Sequence, residues 1–511
     1  MRMIHFMRAR VMKTVRKMKP PSLAPGGPAL LGKLRAAVRV AAFVLVSIIP
    51  FGVIHRAEAQ PQSTPNVLVF LVDDLGWRDT ACYGSSLHQT PAIDALAADG
   101  MRFTQAYSAH PRCVPSRMAM MTGRLPARLH CPGGGKLEHE QTTIAEAFTQ
   151  AGYATCFMGK WHLGGEGSLP TDHGFEFNVA GGAAGAPPSY FYPYNESKLR
   201  GHRTAAPLSG LDEGEVGEYL TDRLTDEAIT YLENHQRNDN ERPFLMVLAH
   251  YAVHTPLEAK PDMVSAYQRL IGDGIETPSV LFPGDGETKQ VQDNAIYAAM
   301  VQSTDQSLAR ILESLESLGL AENTIVVFTS DHGGLSNRGE GNRRPLATSN
   351  APLRAGKGHC YEGGIRIPLI VRWPGRIEAE AQSTHLVNNT DLFPTLLQAA
   401  GQALLPEQHV DGESFADVLF GEAEAGDDDR EIFWHSPRAR PQSTGDRDCS
   451  VIRRGDWKLM AYYDGGVELY NLADDPYESN NLAAEHPDVA AHLMRRLEAW
   501  RRELDVVSPR Q

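Results

Sequence analysis

The run Asn66-Val67-Leu68-Val69-Phe70-Leu71-Val72 passes directly into Asp73-Asp74-Leu75-Gly76-Trp77. Six consecutive apolar residues behind Asn66, with no polar alternation, fit a strand buried on both faces, as in a parallel sheet layered between helices. Two acids at its carboxyl end then stand where open parallel sheets bind ligands. Similar runs follow at Ala154 to Met158, Phe244 to Ala249, Thr324 to Ser330 and Ile367 to Arg372, and all read as buried parallel strands. Between them, apolar residues recur at three- and four-residue spacing over Pro91 to Asp99, Thr143 to Ala151, Thr221 to His235 and Asn294 to Leu318. That spacing predicts helices.

The expected class is therefore α/β, with a large domain whose mostly parallel central sheet is flanked by helices. From about Thr384 the pattern changes to a helix at Leu392 to Ala400 and strands near Glu431 to Trp434, Ser450 to Arg453, Trp457 to Tyr462 and Glu468 to Leu472. A last helix spans Pro487 to Glu503. This predicts a catalytic domain over 60–383 and a smaller C-terminal subdomain, with an antiparallel sheet and a helix, over 384–511. Stretches rich in Gly, Pro and polar residues at Gly181 to Ser197, Gly272 to Glu287 and Asn337 to Ala351 read as long loops.

The first 59 residues have a different composition. They hold eleven Lys or Arg against one acid, Glu58, and an apolar run from Val40 to Ile54 that is short for a membrane span. Ala57-Glu58-Ala59 supplies a small-x-small pattern, so residues 1–59 are expected to be a signal peptide cleaved after Ala59, leaving no stable membrane span. An uncleaved anchor is the competing reading, and the long basic lead-in points to a start at Met12 or Met18. Export to the periplasm or the extracellular space follows from cleavage. Losing those eleven cations and one acid moves the formal charge from −14 to −24. Such a chain repels polyanions, which argues against nucleic acid as a partner and requires a local cationic pocket or a metal for any anionic ligand. Six scattered Cys make neither a disulfide framework nor a zinc site.

The ionisable residues gather at the predicted strand ends. Asp73-Asp74 ends the first strand, Gly159-Lys160-Trp161-His162 the second, His250 and His254 follow the third, and Asp331-His332-Gly333-Gly334 the fourth. Asp73, Asp74 and Asp331 supply a carboxylate cage suited to a hard divalent cation, with Ca2+ the first choice. His250 reads as a packing residue, whereas Arg354 and His359, close to Lys357, are either substrate contacts or part of a solvated loop.

Cys113-Val114-Pro115-Ser116-Arg117, followed by Thr122-Gly123-Arg124, resembles the C-x-P-S-R and T-G-R signature of the formylglycine-dependent type I sulfatases, arylsulfatase-like members of the alkaline phosphatase superfamily. Further blocks in the family's order extend the resemblance over nearly the whole mature chain. They include Gly159-Lys160-Trp161-His162, His254-Thr255-Pro256, Asp331-His332-Gly333, Gly356-Lys357-Gly358, Tyr361 to Pro368 and Leu469-Tyr470-Asn471-Leu472.

The resemblance implies a sulfuric ester hydrolase in which Cys113 is oxidised to formylglycine (3-oxoalanine) by a formylglycine-generating enzyme. The hydrated aldehyde carries two hydroxyls on one carbon: one attacks sulfur and the other expels sulfate as the aldehyde re-forms. By the same resemblance Asp73, Asp74, Asp331 and His332, with the modified Cys113, would hold calcium, and Lys160 and Lys357 would pair with sulfate oxygens. Arg117 would support the modified side chain, His162 would act as its base, and His254 would protonate the leaving oxygen. His332 stands where many family members place Asn, and Val114 where Ser or Ala is frequent. A sulfated saccharide or other small sulfate ester is the expected substrate, with the aromatic loop Tyr190, Phe191, Tyr192 and Tyr194 either stacking on sugar or packing locally. Two rivals stay open: a phosphomonoester or phosphodiester hydrolase of the same superfamily, and a non-catalytic binder of sulfated glycan with Cys113 left as a thiol.

Overall fold

The computed structural model describes residues 64–194, 208–272, 280–282, 286–423 and 430–506; the expected leader lies outside them. Eight strands form the central sheet. Across it they run Ala381–Ser383, Met101–Phe103, Leu369–Arg372, Thr324–Ser330, Asn66–Val72, Phe244–His250, Ala154–Gly159 and Phe177–Val179. Asn66–Val72 sits at the centre, paired in parallel with Phe244–His250 on one side and Thr324–Ser330 on the other. Its side chains alternate between two cores. Leu68, Phe70 and Val72 face the helices Leu220–Asn238 and Ala295–Ser317, while Val67, Val69 and Leu71 face the helices Ile144–Gln150 and Leu392–Ala399. Burial on both sides, worth about 1.5–3 kcal/mol for each large apolar side chain, is why this strand reads as an unbroken apolar run.

One expected direction is corrected. Leu369–Arg372 is antiparallel to both of its neighbours, Met101–Phe103 and Thr324–Ser330. A strand covered on both faces is apolar whichever way it runs, so its composition carries no direction. The sheet remains mostly parallel, because the other pairings in it are parallel.

Local signals start the helices where the periodicity begins. Thr143 and Glu146 form a reciprocal capping box before Ile144–Gln150, and the Asn294 side chain accepts from the Ile296 and Tyr297 amides before Ala295–Ser317. In the C-terminal part, Glu431–Ser436, Cys449–Arg454, Trp457–Tyr462 and Val467–Asn471 form an antiparallel four-stranded sheet. The helix Pro487–Glu503 covers it through Leu493, Leu497 and Trp500, the last stacked on Phe433 with ring centroids 4.9 Å apart. All six cysteines are free, with Cys360 and Cys449 in hydrogen-bond contact. Among the described residues no helix is long and apolar enough to cross a membrane.

Gly159 shows how the sheet edge is turned into a site. Its φ is +97°, and a Cβ placed there would lie 1.9 Å from the Ala249 carbonyl oxygen, which accepts the Lys160 amide at 2.7 Å. Gly159→Ala is therefore expected to cost at least about 2 kcal/mol, from left-handed strain and displacement of the neighbouring strand. A urea midpoint equivalent to less than about 0.5 kcal/mol of loss would contradict this account.

Candidate active site

The carboxyl ends of Asn66–Val72, Ala154–Gly159, Phe244–His250 and Thr324–Ser330 converge with the first turn of the helix Cys113–Thr122. Asp73 and Asp331 are both fully buried, and Arg117, four residues into that helix, binds them together. Its Nε donates to Asp331 Oδ2 at 2.9 Å and its Nη2 to Asp73 Oδ1 at 3.2 Å, while Nη1 donates to the Lys160 carbonyl at 2.6 Å. Asp74 takes a left-handed φ of 60°, which turns its carboxylate toward the same point, and its amide donates to Asp331 Oδ1 at 3.1 Å.

Cys113 lies at the centre of this group. Its Sγ is 3.1 Å from His332 Nε2, 3.6 Å from Lys357 Nζ and 3.9 Å from Asp74 Oδ1. Lys357 Nζ donates to both Asp74 oxygens at 2.7 and 2.8 Å, and Lys160 Nζ to Asp73 Oδ2 at 2.6 Å. The half-buried His162 side chain hydrogen-bonds Cys113, leaving its buried Nδ1 without a partner. His254 Nε2 approaches Asp74 Oδ2 at 3.8 Å, its Nδ1 lying 2.7 Å from the Thr255 carbonyl. A carbonyl only accepts, so Nδ1 carries the proton.

Every site residue expected from the sequence is thus in one cluster. Burial alone would raise the Cys113 thiol, but Lys160, Lys357 and His332 hold it well below its ordinary range. Burial would lower His332, yet Asp331, Cys113 and Asp74 bring it up to about 9. Burial keeps Asp73 well above the carboxylate range, and the charges of Asp331 and Cys113 add to that in spite of Lys160. Four acidic groups, Asp73, Asp74, Asp331 and Cys113, therefore meet four cationic ones, Arg117, Lys160, Lys357 and His332, at one point. One atom each from Asp73, Asp74, Cys113 and His332 lie within 4.8 Å of one another, and Asp331 Oδ1 is 3.7 Å from His332 Nε2. Carboxylate oxygens, one sulfur and one imidazole nitrogen converging this closely make a donor set that fits a divalent cation. His332 Nδ1 lies 3.0 Å from the Gly333 carbonyl, to which it donates, so Nε2 is the atom turned toward the carboxylates.

Burial pushes His162 below the ordinary imidazole range, and burial with the charge of Lys357 pushes His254 down to about 3. Both are neutral at physiological pH. Outside the cluster, His250 is buried against Phe70 and hydrogen-bonds Ser307 at 2.9 Å. Arg354 lies over the Tyr361 ring and His359 bonds the Thr444 carbonyl at 3.0 Å, so both serve the packing around the site. In the aromatic loop, Tyr190 and Tyr194 are buried rather than open to sugar. The Tyr190 hydroxyl lies 2.7 and 2.8 Å from the Tyr251 and His254 carbonyls, holding the His254 turn, and Tyr194 donates to Glu218 at 2.5 Å.

Three supports were missed in the sequence. The Ser116 hydroxyl donates to the Asp331 carbonyl and is itself braced by Asn389 Nδ2 at 2.8 Å. Asp79 gathers Tyr297, Thr348 and Gln292 beneath the Asp74 turn. Ser116 carried a signal, as part of the quoted signature, whereas Asn389 and Asp79 carried none.

Such a site, in which cations and a group of possible metal ligands surround one side chain on a helix, suits the hydrolysis of anionic esters. A family model described as Sulfatase matches residues 65–402, and one described as N-sulphoglucosamine sulphohydrolase, C-terminal, matches 356–503. A sulfatase of Formosa agariphila is 30% identical, covering 85% of this chain and 88% of its own. The N-acetylgalactosamine-6-sulfatase of Canis lupus familiaris is 32% identical, with 74% and 70% covered. The solved structure of Ps i-CgsB in complex with k-i-k-neocarrahexaose superposes with a TM-score of 0.72 at 28% identity, covering 87% of this chain and 94% of that one. The phosphonate monoester hydrolase of Agrobacterium radiobacter shares the fold, with a TM-score of 0.59 at 22% identity over 86% and 96%. The chain belongs to the sulfatase family and is a sulfuric ester hydrolase.

Proposed function

We propose that the chain hydrolyses sulfate monoesters of a saccharide, using a formylglycine made from Cys113 and one calcium ion. The observation that carries this is Cys113 itself, the first residue of its helix, lying within 4 Å of His332, Lys357 and Asp74 in the sequence Cys-Val-Pro-Ser-Arg. Asp73, Asp74, Asp331 and His332 would hold the calcium, the His332 nitrogen being the one departure from an all-oxygen set. When present, the hydrated aldehyde supplies two hydroxyls on one carbon and calcium neutralises charge on sulfate oxygens.

The remaining chemistry belongs to the chain's own side chains. Lys160 and Lys357 pair with sulfate oxygens, each aimed by an aspartate and Lys160 fully buried. Arg117 fixes Asp73 and Asp331 so that the cage keeps its geometry. His162, neutral and bonded to the side chain at 113, receives the proton there. His254 Nε2 faces the site without a proton, so it acts as the acid only once an incoming anion offsets the charge of Lys357 and the imidazole takes one up. The saccharide assignment is supported by the oligosaccharide complex of Ps i-CgsB and by the hexosamine named in the canine relative.

We place catalysis in residues 60–383, assign 384–511 to the C-terminal subdomain, and place the mature protein in the periplasm or outside the cell, with a formylglycine-generating enzyme as its maturation partner. Mass spectrometry of the peptide containing Cys113 is the test. A loss of about 18 Da is expected for an aldehyde in place of a thiol. An unmodified thiol in fully active protein would sink the proposal and favour direct chemistry at sulfur, and an unmodified thiol in inactive protein would favour the glycan-binder reading. Chelation is expected to remove activity and calcium to restore it, with one ion per chain in metal analysis. Preference for aryl phosphate over aryl sulfate would instead support the phosphoester hydrolase.

A further inference from the structure

Segments 337–345 and 437–446 meet beside the site. Gly339 donates its amide to the Ser443 carbonyl at 3.1 Å, and Asn342 Nδ2 donates to the Gln442 carbonyl at 2.8 Å. Asn337 Nδ2 donates both to the Thr444 carbonyl and, at 3.2 Å, to the carbonyl of Lys357. The paired segments are therefore fixed to the backbone of a residue that touches Cys113. They carry Arg338, which pairs with Glu287 at 2.7 Å, together with Arg343, Arg344, Arg438 and Arg440.

The buried acid on these segments is already engaged, the other, Glu340, being exposed. Asp446 is buried and accepts from Arg112 Nη2, the Thr444 hydroxyl and the Arg440 amide. Its charge is matched by Arg112, the residue immediately before Cys113. Among the described residues, none of the guanidiniums of Arg344, Arg438 and Arg440 forms an ion pair. Arg344 Nε is buried without a partner, and Nη2 reaches only the Asn337 carbonyl at 3.1 Å. Arg438 lies against Gly133, where any added Cβ would come within 2.9 Å of its guanidinium carbon, and the next residue, Gly134, faces Val114.

Electrostatics ties this rim to the reacting centre from two directions. The charge of Asp74 acts on Arg344, and that of Cys113 acts on Arg440. Although its position is exposed, Arg440 is lowered by partial desolvation and by repulsion from Arg112 and Arg438 against the pull of Asp446, and partial burial lowers Arg344 against Asp74 and Asp446. Asp446, already paired with Arg112, is the carboxylate acting on both Arg344 and Arg440, so three guanidiniums with no ion pair of their own, one holding a buried unpartnered nitrogen, leave room for an anion from outside.

We propose that Arg344, Arg438 and Arg440 form a second anion subsite, which takes a sulfate or carboxylate on the same saccharide that presents its scissile sulfate to Cys113. The proposal rests on the reading of the chain as a saccharide sulfatase and names its substrate class, a saccharide bearing at least two anionic groups. Guanidinium forks suit both groups, because each offers two oxygens in one plane.

The test measures binding, so that it does not depend on turnover. Full-length Cys113→Ala protein is titrated with three synthetic disaccharides: monosulfated, disulfated, and monosulfated with a uronic acid. Tighter binding of the two dianionic probes, by about tenfold or more, is expected, and the stronger of the two identifies the second group. Arg440→Ala, at an exposed position, and Arg344→Ala should each remove about tenfold of that preference and weaken its salt dependence, with circular dichroism checking that the fold is kept. Equal affinity for all three probes, or a preference that survives both substitutions, would overturn the subsite. Failure of the sulfatase reading would show separately, as native protein that turns over no sulfate ester.

Discussion

Cys113→Ala is expected to lower sulfate-ester turnover by at least about 10,000-fold while leaving the protein folded. The side chain lost is small and its surroundings are polar, so no large apolar cavity is left, and Arg117, Lys160 and Lys357 keep their carboxylate partners. What is lost is the nucleophile at the centre of the cage, Ser116 beside it being committed to the Asp331 carbonyl. Cys113→Ser separates two explanations of that loss. A serine hydroxyl can attack sulfur once, but its sulfate ester has no second hydroxyl on the same carbon to expel the sulfate. The expected result is one turnover at most, followed by protein heavier by about 80 Da, the mass of the retained SO3 group. Steady turnover by Cys113→Ser, or Cys113→Ala activity within tenfold of native, would remove Cys113 from the mechanism.

The legibility of this site in the sequence has a physical cause. Strands buried on both faces must be apolar, so each acid, histidine or lysine that ends such a run stands out, and parallel strands bring those ends to one edge. Asp73, Lys160, His254 and Asp331 were recoverable for that reason. The strands Met101–Phe103, Phe177–Val179 and Ala381–Ser383 were not, because three residues have no period to detect. The reversed direction of Leu369–Arg372 was equally hidden, since pairing direction leaves no mark on a fully covered strand. Ser116 and Asn389 meet across 273 positions of chain, and nothing local in either residue foretells the contact. The same holds for Tyr190, whose aromatic loop left sugar stacking and local packing equally open. Its ring is buried and its hydroxyl holds the turn that carries His254.

Arg117→Met is expected to cost about 3–5 kcal/mol of stability, the largest effect of any single substitution considered at the site. The guanidinium is 2% exposed and bridges two carboxylates that are both fully buried. A methionine fills much of the same space, so the loss comes from charge and hydrogen bonding rather than from a cavity. Asp331 is held below the ordinary carboxylate range by His332 and Arg117, whereas Asp73 is already well above it, and without the guanidinium both must share what Lys160 and His332 supply. Arg117→Lys is the sharper comparison. An ammonium retains the charge but cannot donate to Asp331, Asp73 and the Lys160 carbonyl in one plane, so it should recover less than half of the loss. Urea unfolding at constant m gives both values. A loss below about 1 kcal/mol for Met would mean that the guanidinium does not hold the cage, and full recovery with Lys would mean that its charge alone does so and not the planar bridge. Added calcium should narrow the gap between the variants and the parent, because a cation bound by Asp73 and Asp331 replaces part of the charge that Arg117 provides.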